Sequence, residues 1–391
     1  INFPLEEVRK YKIEILNNQQ NNIINNIQNQ FNYLMMNPYN NYNMLLQNQF
    51  IMSQQIQMNN NINEVNILEC FDYDKKLNYM TGENQMFCNQ CRSNSDSIMT
   101  TNLYSGPEVL ILILNRGKGI EFNVKIYFTE ELDLSNYIEN KESGYMYKLI
   151  GVITHLGESS MSGHFIAYCK DPLNEKWYKY NDAIVDEVND FKKEVIDFAM
   201  PYILFYQKNN LKILQLQDNA PTNIGTNFDK IRTEIKNIKN IDNNIIIDDN
   251  NINDNANIQN NLNKKININW DKNSLKNNFK SCPNIGLKKI GVACYMNSTL
   301  QCFCHIEKFV EFFKYAKILK NKKDKLSSSF KILIDNLWPN NFNHSSPKFK
   351  KYYSPDEFKN KISKMNPLFE GIAVNDAKDL VNFIIMTLHL E

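Results

Sequence analysis

The stretch Gly291-Val292-Ala293-Cys294-Tyr295-Met296-Asn297-Ser298 puts a cysteine where a glycine-containing loop meets the first turn of an apolar helix. Free N–H groups and the dipole at a helix N-terminus stabilise a thiolate, the nucleophilic form of cysteine. Earlier in the chain, Gly163-His164-Phe165-Ile166-Ala167-Tyr168 places an imidazole at the start of a strand, with Gly163 allowing close backbone approach. Trp177-Tyr178-Lys179-Tyr180-Asn181-Asp182 then places an amide and a carboxylate at the end of the next strand. A thiol nucleophile, a histidine that takes its proton and an Asn or Asp that holds the imidazole tautomer are the parts of a cysteine peptidase. Each part alone has a plainer reading, because a cysteine at such a junction is more often a small buried side chain and a lone histidine is usually structural. Cys302 and Cys304, expected further along the same helix, keep the plain reading.

Two kinds of element must position these groups. Residues 64 to 208 have strand character: Pro107-Glu108-Val109-Leu110-Ile111-Leu112-Ile113-Leu114 is a continuous apolar run, as in a strand buried on both faces, and residues 120 to 128 alternate as a half-buried strand does. Further strands are expected at 145 to 155, 163 to 170, 176 to 180 and 201 to 207, in a mostly antiparallel sheet. Residues 284 to 391 read as helical, with helices over 294 to 315, near 326 to 338, from Ser354-Pro355-Asp356-Glu357 and after Asn375. Ser354 as N-cap, Pro355 at the first helical position and Glu357 at the third spell a capping box. The fold class expected is α+β. Roughly one residue in six is asparagine, concentrated in two stretches, so residues 1 to 63 and 209 to 283 are expected to be largely disordered segments that bury too little apolar surface to offset chain entropy.

Composition narrows the function classes. The chain has 391 residues, with 44 basic against 43 acidic side chains. Near-neutral charge argues against non-specific nucleic-acid binding, which releases counterions through an excess of basic charge. Eight cysteines are too sparse for a disulfide scaffold and, with no signal-peptide pattern, read as reduced thiols of the cytosol or nucleus. No apolar run approaches the roughly 18 to 20 residues that span a bilayer, so no membrane partner is expected. The start at Ile1 and the stop at Glu391 within an apolar periodic stretch are expected of a piece of a longer chain.

The longer stretch from Gly286 to Gln301 resembles the cysteine box of the ubiquitin-specific proteases, family C19 of the peptidases. The segments Tyr147 to Gly157, Ser162 to Tyr168, Trp177 to Asp182 and Tyr202 to Tyr206 are similar to its histidine box and closing strand. Pro107 to Arg116 resembles the family strand ending in Lys-Arg-Phe, and Asn375-Asp376-Ala377 resembles the Gln-Asp-Ala that opens a thumb helix. The resemblance implies a papain-like fold with a helical thumb at 284 to 391 and an antiparallel palm and fingers at 64 to 208. It makes Cys294 the nucleophile, His164 the general base, Asn181 the orienting residue and Asp182 a supporting acid. His155, Gly163 and Asp376 are assigned to substrate binding, with Asp376 facing the basic ubiquitin tail. The implied activity is hydrolysis after the C-terminal glycine of ubiquitin by an acyl-enzyme route with no required cofactor, and the implied partners are ubiquitin and ubiquitinated proteins.

Three departures from the family pattern stand out. Lys289 occupies the oxyanion position, five residues before the cysteine, where the family has Asn, and Ala293 replaces a common Thr. Cys88-Asn89-Gln90-Cys91 is one Cys-x-x-Cys where the family often has two on a tetrahedral zinc, leaving at most half a zinc site. The histidine box precedes the cysteine box, which describes either a circularly permuted domain or the tail of one domain joined to the head of the next in a tandem array. The leading reading is a thiol-dependent deubiquitinase. Its alternatives are a catalytically impaired ubiquitin-binding or scaffolding module and a papain-like protease acting on other substrates.

Overall fold

The structure is a computed structural model that describes residues 1–34, 62–117, 123–159, 162–198, 200–209, 275, 278–279, 281–315, 325–340 and 351–391. Strand β1 (Asn2–Pro4) and helix α1 (Leu5–Leu34) come first, followed by β2 (Glu64–Asn66) and α2 (Ile67–Lys75). Strands β3 (Asn78–Met80), β4 (Met86–Cys88), β5 (Ser93–Ser95) and β6 (Ser97–Met99) form two nested antiparallel pairs, β3 with β6 and β4 with β5. Next come β7 (Val109–Asn115), β8 (Lys125–Tyr127), β9 (Glu131–Asp133), β10 (Met146–Ser159), β11 (Ser162–Lys170), β12 (Trp177–Asn181), β13 (Ile184–Glu187) and β14 (Pro201–Lys208). The C-terminal part holds β15 (Gly286–Leu287), α3 (Cys294–Phe303), α4 (Glu307–Tyr315), α5 (Leu326–Leu337), β16 (Tyr352–Tyr353), α6 (Asp356–Met365) and α7 (Ala377–Leu390).

Eight strands form the main sheet in the order β1-β7-β14-β10-β11-β12-β13, with β9 also on β10. Every pairing in it is antiparallel except that of β1 with β7. Alternation along the strands gives the sheet two apolar faces. Leu204 and Tyr206 of β14 enter one core cluster with Leu110, Leu112 and Leu114, while Phe205 between them meets Phe303 of α3 edge-on at 5.8 Å. All ten residues of α3 are buried. The fold is α+β, as its residue pattern implies.

Residues 1–209 and 278–391 form one compact unit. Within it, the sheet-bearing and helix-bearing parts meet through polar bonds as well as packing. Tyr180 Oη donates to Asn284 Oδ1 at 2.9 Å, Asp171 Oδ2 accepts the Cys282 N–H at 2.9 Å and the Asp182 carbonyl accepts the Leu287 N–H at 2.8 Å. Gly286 is needed at this junction, since an added Cβ would lie 2.5 Å from the Ala183 carbonyl oxygen.

Four expectations need correction. Residues 1–34 are ordered, with Phe3, Leu5 and Val8 fully buried in the same cluster as Val65 and Leu114. Averaging over an Asn-rich window hides three apolar positions that anchor a strand and a helix; residues 35–61 lie outside the described residues. The end of the expected linker is also built in, because Phe279 packs edge-on against Trp338 at 5.4 Å and Cys282 is buried; residues 210–274 lie outside the described residues. The helix expected over 294 to 315 breaks after Phe303, where the His305 ring bonds the Gln301 carbonyl through Nδ1 at 2.7 Å and takes up a carbonyl the helix leaves free. At Ser354 there is no capping box: Pro355 is the N-cap and no side chain caps the helix, leaving Asp356 and Glu357 to favour the first turn through the dipole. Of the strand expected over 120 to 128, β8 is present, and 118–122 lie outside the described residues.

Candidate active site

Cys294 is the first residue of α3 and is 3% exposed. The chain enters the helix through Gly291, whose φ of 59° is in the left-handed region that a residue without Cβ adopts at little cost. The Ala293 carbonyl accepts from Met296 N–H at 3.1 Å and Asn297 N–H at 3.0 Å, closing the first turn.

His164 lies on β11 opposite Leu156 of β10. Its Nε2 is 2.6 Å from Asn181 Oδ1 at the end of β12. An amide oxygen only accepts, so Nε2 carries the hydrogen of this bond and Nδ1 is the nitrogen left to take a proton. Asp182 follows in the turn between β12 and β13 with a φ of 51°, a conformation that Asp tolerates better than most residues. Its Oδ2 is 3.9 Å from His164 Nε2 and 3.9 Å from Lys289 Nζ. Its Oδ1 accepts from Asn297 Nδ2 at 2.7 Å. Asn297 also lies 3.2 Å from the Leu287 carbonyl, so one amide ties the turn after β12 to β15 and to the first turn of α3.

Sequence reasoning assigned Asn297 no role. A signal was present, because an amide in the first turn of a helix expected to be buried must find partners. Lys289, by contrast, is directed to Asp182 with its side chain 42% exposed.

His155, Gly163 and Asp376 form a neighbouring group. The His155 ring is 4.6 Å from Phe165 in an edge-on contact, and an added Cβ on Gly163 would lie 2.2 Å from His155 Cε1. Burial lowers the His155 pKa, with Asp376 opposing. Asp376 caps α7 by accepting the Lys378 N–H at 2.9 Å, and its other oxygen accepts from Tyr202 Oη at 2.6 Å. Burial and this carboxylate push the Tyr202 hydroxyl well above its ordinary range.

Cys302 sits 3.8 Å from Cys169 of β11, sulfur to sulfur, inside the sheet–helix interface. Burial pushes the Cys169 and Cys304 thiols upward. Cys88 and Cys91 stand apart on the β4–β5 turn, where backbone N–H groups hold the Cys88 thiol below its ordinary value. Among the described residues no third His, Cys, Asp or Glu joins them, and Cys70 is buried. Two thiols do not fit a closed tetrahedral zinc site.

The profile of the family described as ubiquitin carboxyl-terminal hydrolase matches residues 8–206 and 285–391, more than half of the chain. The sequence is similar to ubiquitin carboxyl-terminal hydrolase 48 of Rattus norvegicus, 33% identical over 136 residues that make up 33% of this chain and 13% of the relative. It is also similar to ubiquitin carboxyl-terminal hydrolase 17-like protein B of Mus musculus, 35% identical over 143 residues, 35% of this chain and 30% of the relative. The matches thus span less than a third of these curated relatives. Among solved structures, the SAGA Ubp8/Sgf11/Sus1/Sgf73 DUB module bound to ubiquitin aldehyde aligns with 28% identity and a TM-score of 0.30, over 37% of this chain and 35% of that chain.

Proposed function

Because the chain belongs to the ubiquitin carboxyl-terminal hydrolase family, we propose that it is a thiol-dependent deubiquitinase that cleaves after the C-terminal glycine of ubiquitin with Cys294 as nucleophile. The observation that carries this reading is the 2.6 Å bond from His164 Nε2 to Asn181 Oδ1, on strands packed against the helix that opens at Cys294. In the reaction, the Cys294 proton goes to His164 Nδ1 and the sulfur attacks the glycine carbonyl carbon. His164 returns the proton to the leaving amine as the tetrahedral intermediate collapses to a thioester. A water that His164 deprotonates then releases ubiquitin. Asn181 holds the ring tautomer, and Asp182 supports the imidazolium from 3.9 Å. Asp376 offers the basic ubiquitin tail a partly exposed carboxylate, near the buried His155 ring over which Gly163 passes.

A second reading is a catalytically impaired ubiquitin-binding module, favoured by Lys289, whose ammonium is engaged by Asp182 at a position where the family has an amide donor. A ubiquitin suicide probe with an electrophile at its C-terminus separates the two. On the enzyme reading the parent, Cys302→Ala and Cys304→Ala chains become covalently labelled, while Cys294→Ala does not. Tight ubiquitin binding without labelling of the parent would sink the enzyme reading in favour of the second.

A further inference from the structure

The Cys88 and Cys91 pair takes no part in the chemistry proposed at Cys294, and its geometry is that of a reactive dithiol. Arg92 N–H donates to the Cys88 carbonyl at 2.7 Å, closing one helical turn between β4 and β5. Arg92, with a φ of 54°, then returns the chain to the hairpin, where Cys88 pairs with Ser93. Residues three apart on one turn are neighbours, and a disulfide requires Cα atoms within about 7 Å. Cys91 N–H donates to Cys88 Sγ at 3.5 Å, so the sulfur lies over the turn next to its partner. Cys91 is exposed and Cys88 partly so, whereas the other six cysteines are buried. Apart from Cys294 at its helix N-terminus, burial in apolar surroundings leaves these thiols inert, while an exposed thiol held by N–H groups reacts.

We propose that Cys88 and Cys91 are a modification site for low-molecular-weight disulfides, closing to an intramolecular disulfide at the tip of the β4–β5 hairpin. The Cys88 thiolate attacks one sulfur of the small disulfide, forming a mixed disulfide and expelling one small thiolate. Cys91 loses its proton to solvent and attacks the Cys88 sulfur, expelling the second thiolate. The protein gives up two electrons and two protons, and the small disulfide is reduced to two thiols. The strand pairs Met86 with Ser95 and Phe87 with Asn94 remain in place, because the new bond spans only the turn.

The test uses the full chain carrying Cys294→Ala, so the result is independent of the activity proposed above. Native protein is treated with glutathione disulfide, unfolded, alkylated and mapped by peptide mass spectrometry. The expected result is loss of both thiols in the peptide containing Cys88 and Cys91 with no glutathione retained, while the buried cysteines are alkylated. The additional Cys91→Ser chain is expected to stop at one glutathione on Cys88. Unreacted thiols at this peptide, or glutathione retained on the chain with both cysteines, overturns the proposal. So does a chelator-competition titration in which one zinc ion per chain binds tightly and protects both thiols.

Discussion

At the residue scale, Asp182 is the hub. Its two oxygens face Asn297, His164 and Lys289, and its carbonyl accepts from Leu287, so the turn that follows Asn181 is fixed from the helix-bearing part. Asn297→Ala removes the donor at 2.7 Å and leaves a charged oxygen without its bond. Losing such a bond costs about 1.5 to 3 kcal/mol, and denaturant unfolding is expected to show it. On the enzyme reading kcat also falls while KM for a ubiquitin reporter hardly moves; an unchanged kcat would separate Asn297 from the site. Lys289→Asn restores an amide donor where the lysine is a hydrated, loosely fixed cation. Single-turnover cleavage is expected to rise about 10- to 100-fold, or about 1.4 to 2.7 kcal/mol of barrier, with ubiquitin affinity unchanged. A flat or falling rate would mean that the Lys289 to Asp182 pair itself serves the reaction.

At the element scale, two close approaches define where strands and helices sit. Gly163 lets β11 pass the His155 ring, and the 2.2 Å approach of an added Cβ leaves no room for one. Gly163→Ala is therefore expected to destabilise the chain by about 1 to 3 kcal/mol, the usual cost of overpacking, read as a lower urea midpoint at unchanged m-value. The N-terminus of α5 is capped from outside the helix: Glu391 carboxylate oxygens accept from Leu326 N–H at 2.6 Å and Ser327 N–H at 2.9 Å. Glu391→Ala is expected to cost about 1 kcal/mol, as loss of a cap does, and to speed amide exchange in the first turn of α5 ahead of its centre. Equal exchange along the helix in both proteins would argue against the cap.

At the scale of the whole molecule, the two matched segments are joined through a buried polar cluster as well as through apolar packing. His305 Nε2 is 2.8 Å from Tyr180 Oη and 3.3 Å from Cys282 Sγ, and Nδ1 bonds the Gln301 carbonyl. Burial lowers the His305 pKa below its ordinary 6.5, against smaller opposing effects of the Gln301 carbonyl and Asp171. A histidine whose folded pKa is depressed binds fewer protons folded than unfolded in the window between the two values. Stability is therefore full above about pH 6.5 and is lost as pH falls from there toward the folded value. Urea midpoints measured from pH 8 down to pH 5 are expected to drop more steeply for the parent than for His305→Gln. Parallel curves would place the acid sensitivity elsewhere, with buried His155 the next group to test.

The main-sheet strands β7, β10, β11, β12 and β14, the helix that opens at Cys294 and the residue types of the candidate site were legible in the sequence, because periodicity, glycine placement and helix entry act over a few neighbouring residues, whereas the short strands β2 to β6, β9 and β13 were not. The α+β class followed from the same local signals. Hidden from that reading were the order of residues 1–34, the break after Phe303 and the cap on α5, each of which depends on partners distant along the chain. Phe3, Leu5 and Val8 order the N-terminal segment by burial against β7 and its neighbours, a surface that no window of local composition contains. The candidate site divides the same way. His164, Asn181 and Cys294 announce themselves by type and setting, but Asn297 meets Asp182 across 115 residues of sequence. Lys289 finds the same carboxylate only because β15 docks beside the turn after β12. Such pairings are selected by the cost of leaving buried polar groups without partners, a cost that arises only once the sheet and the helices have closed on each other.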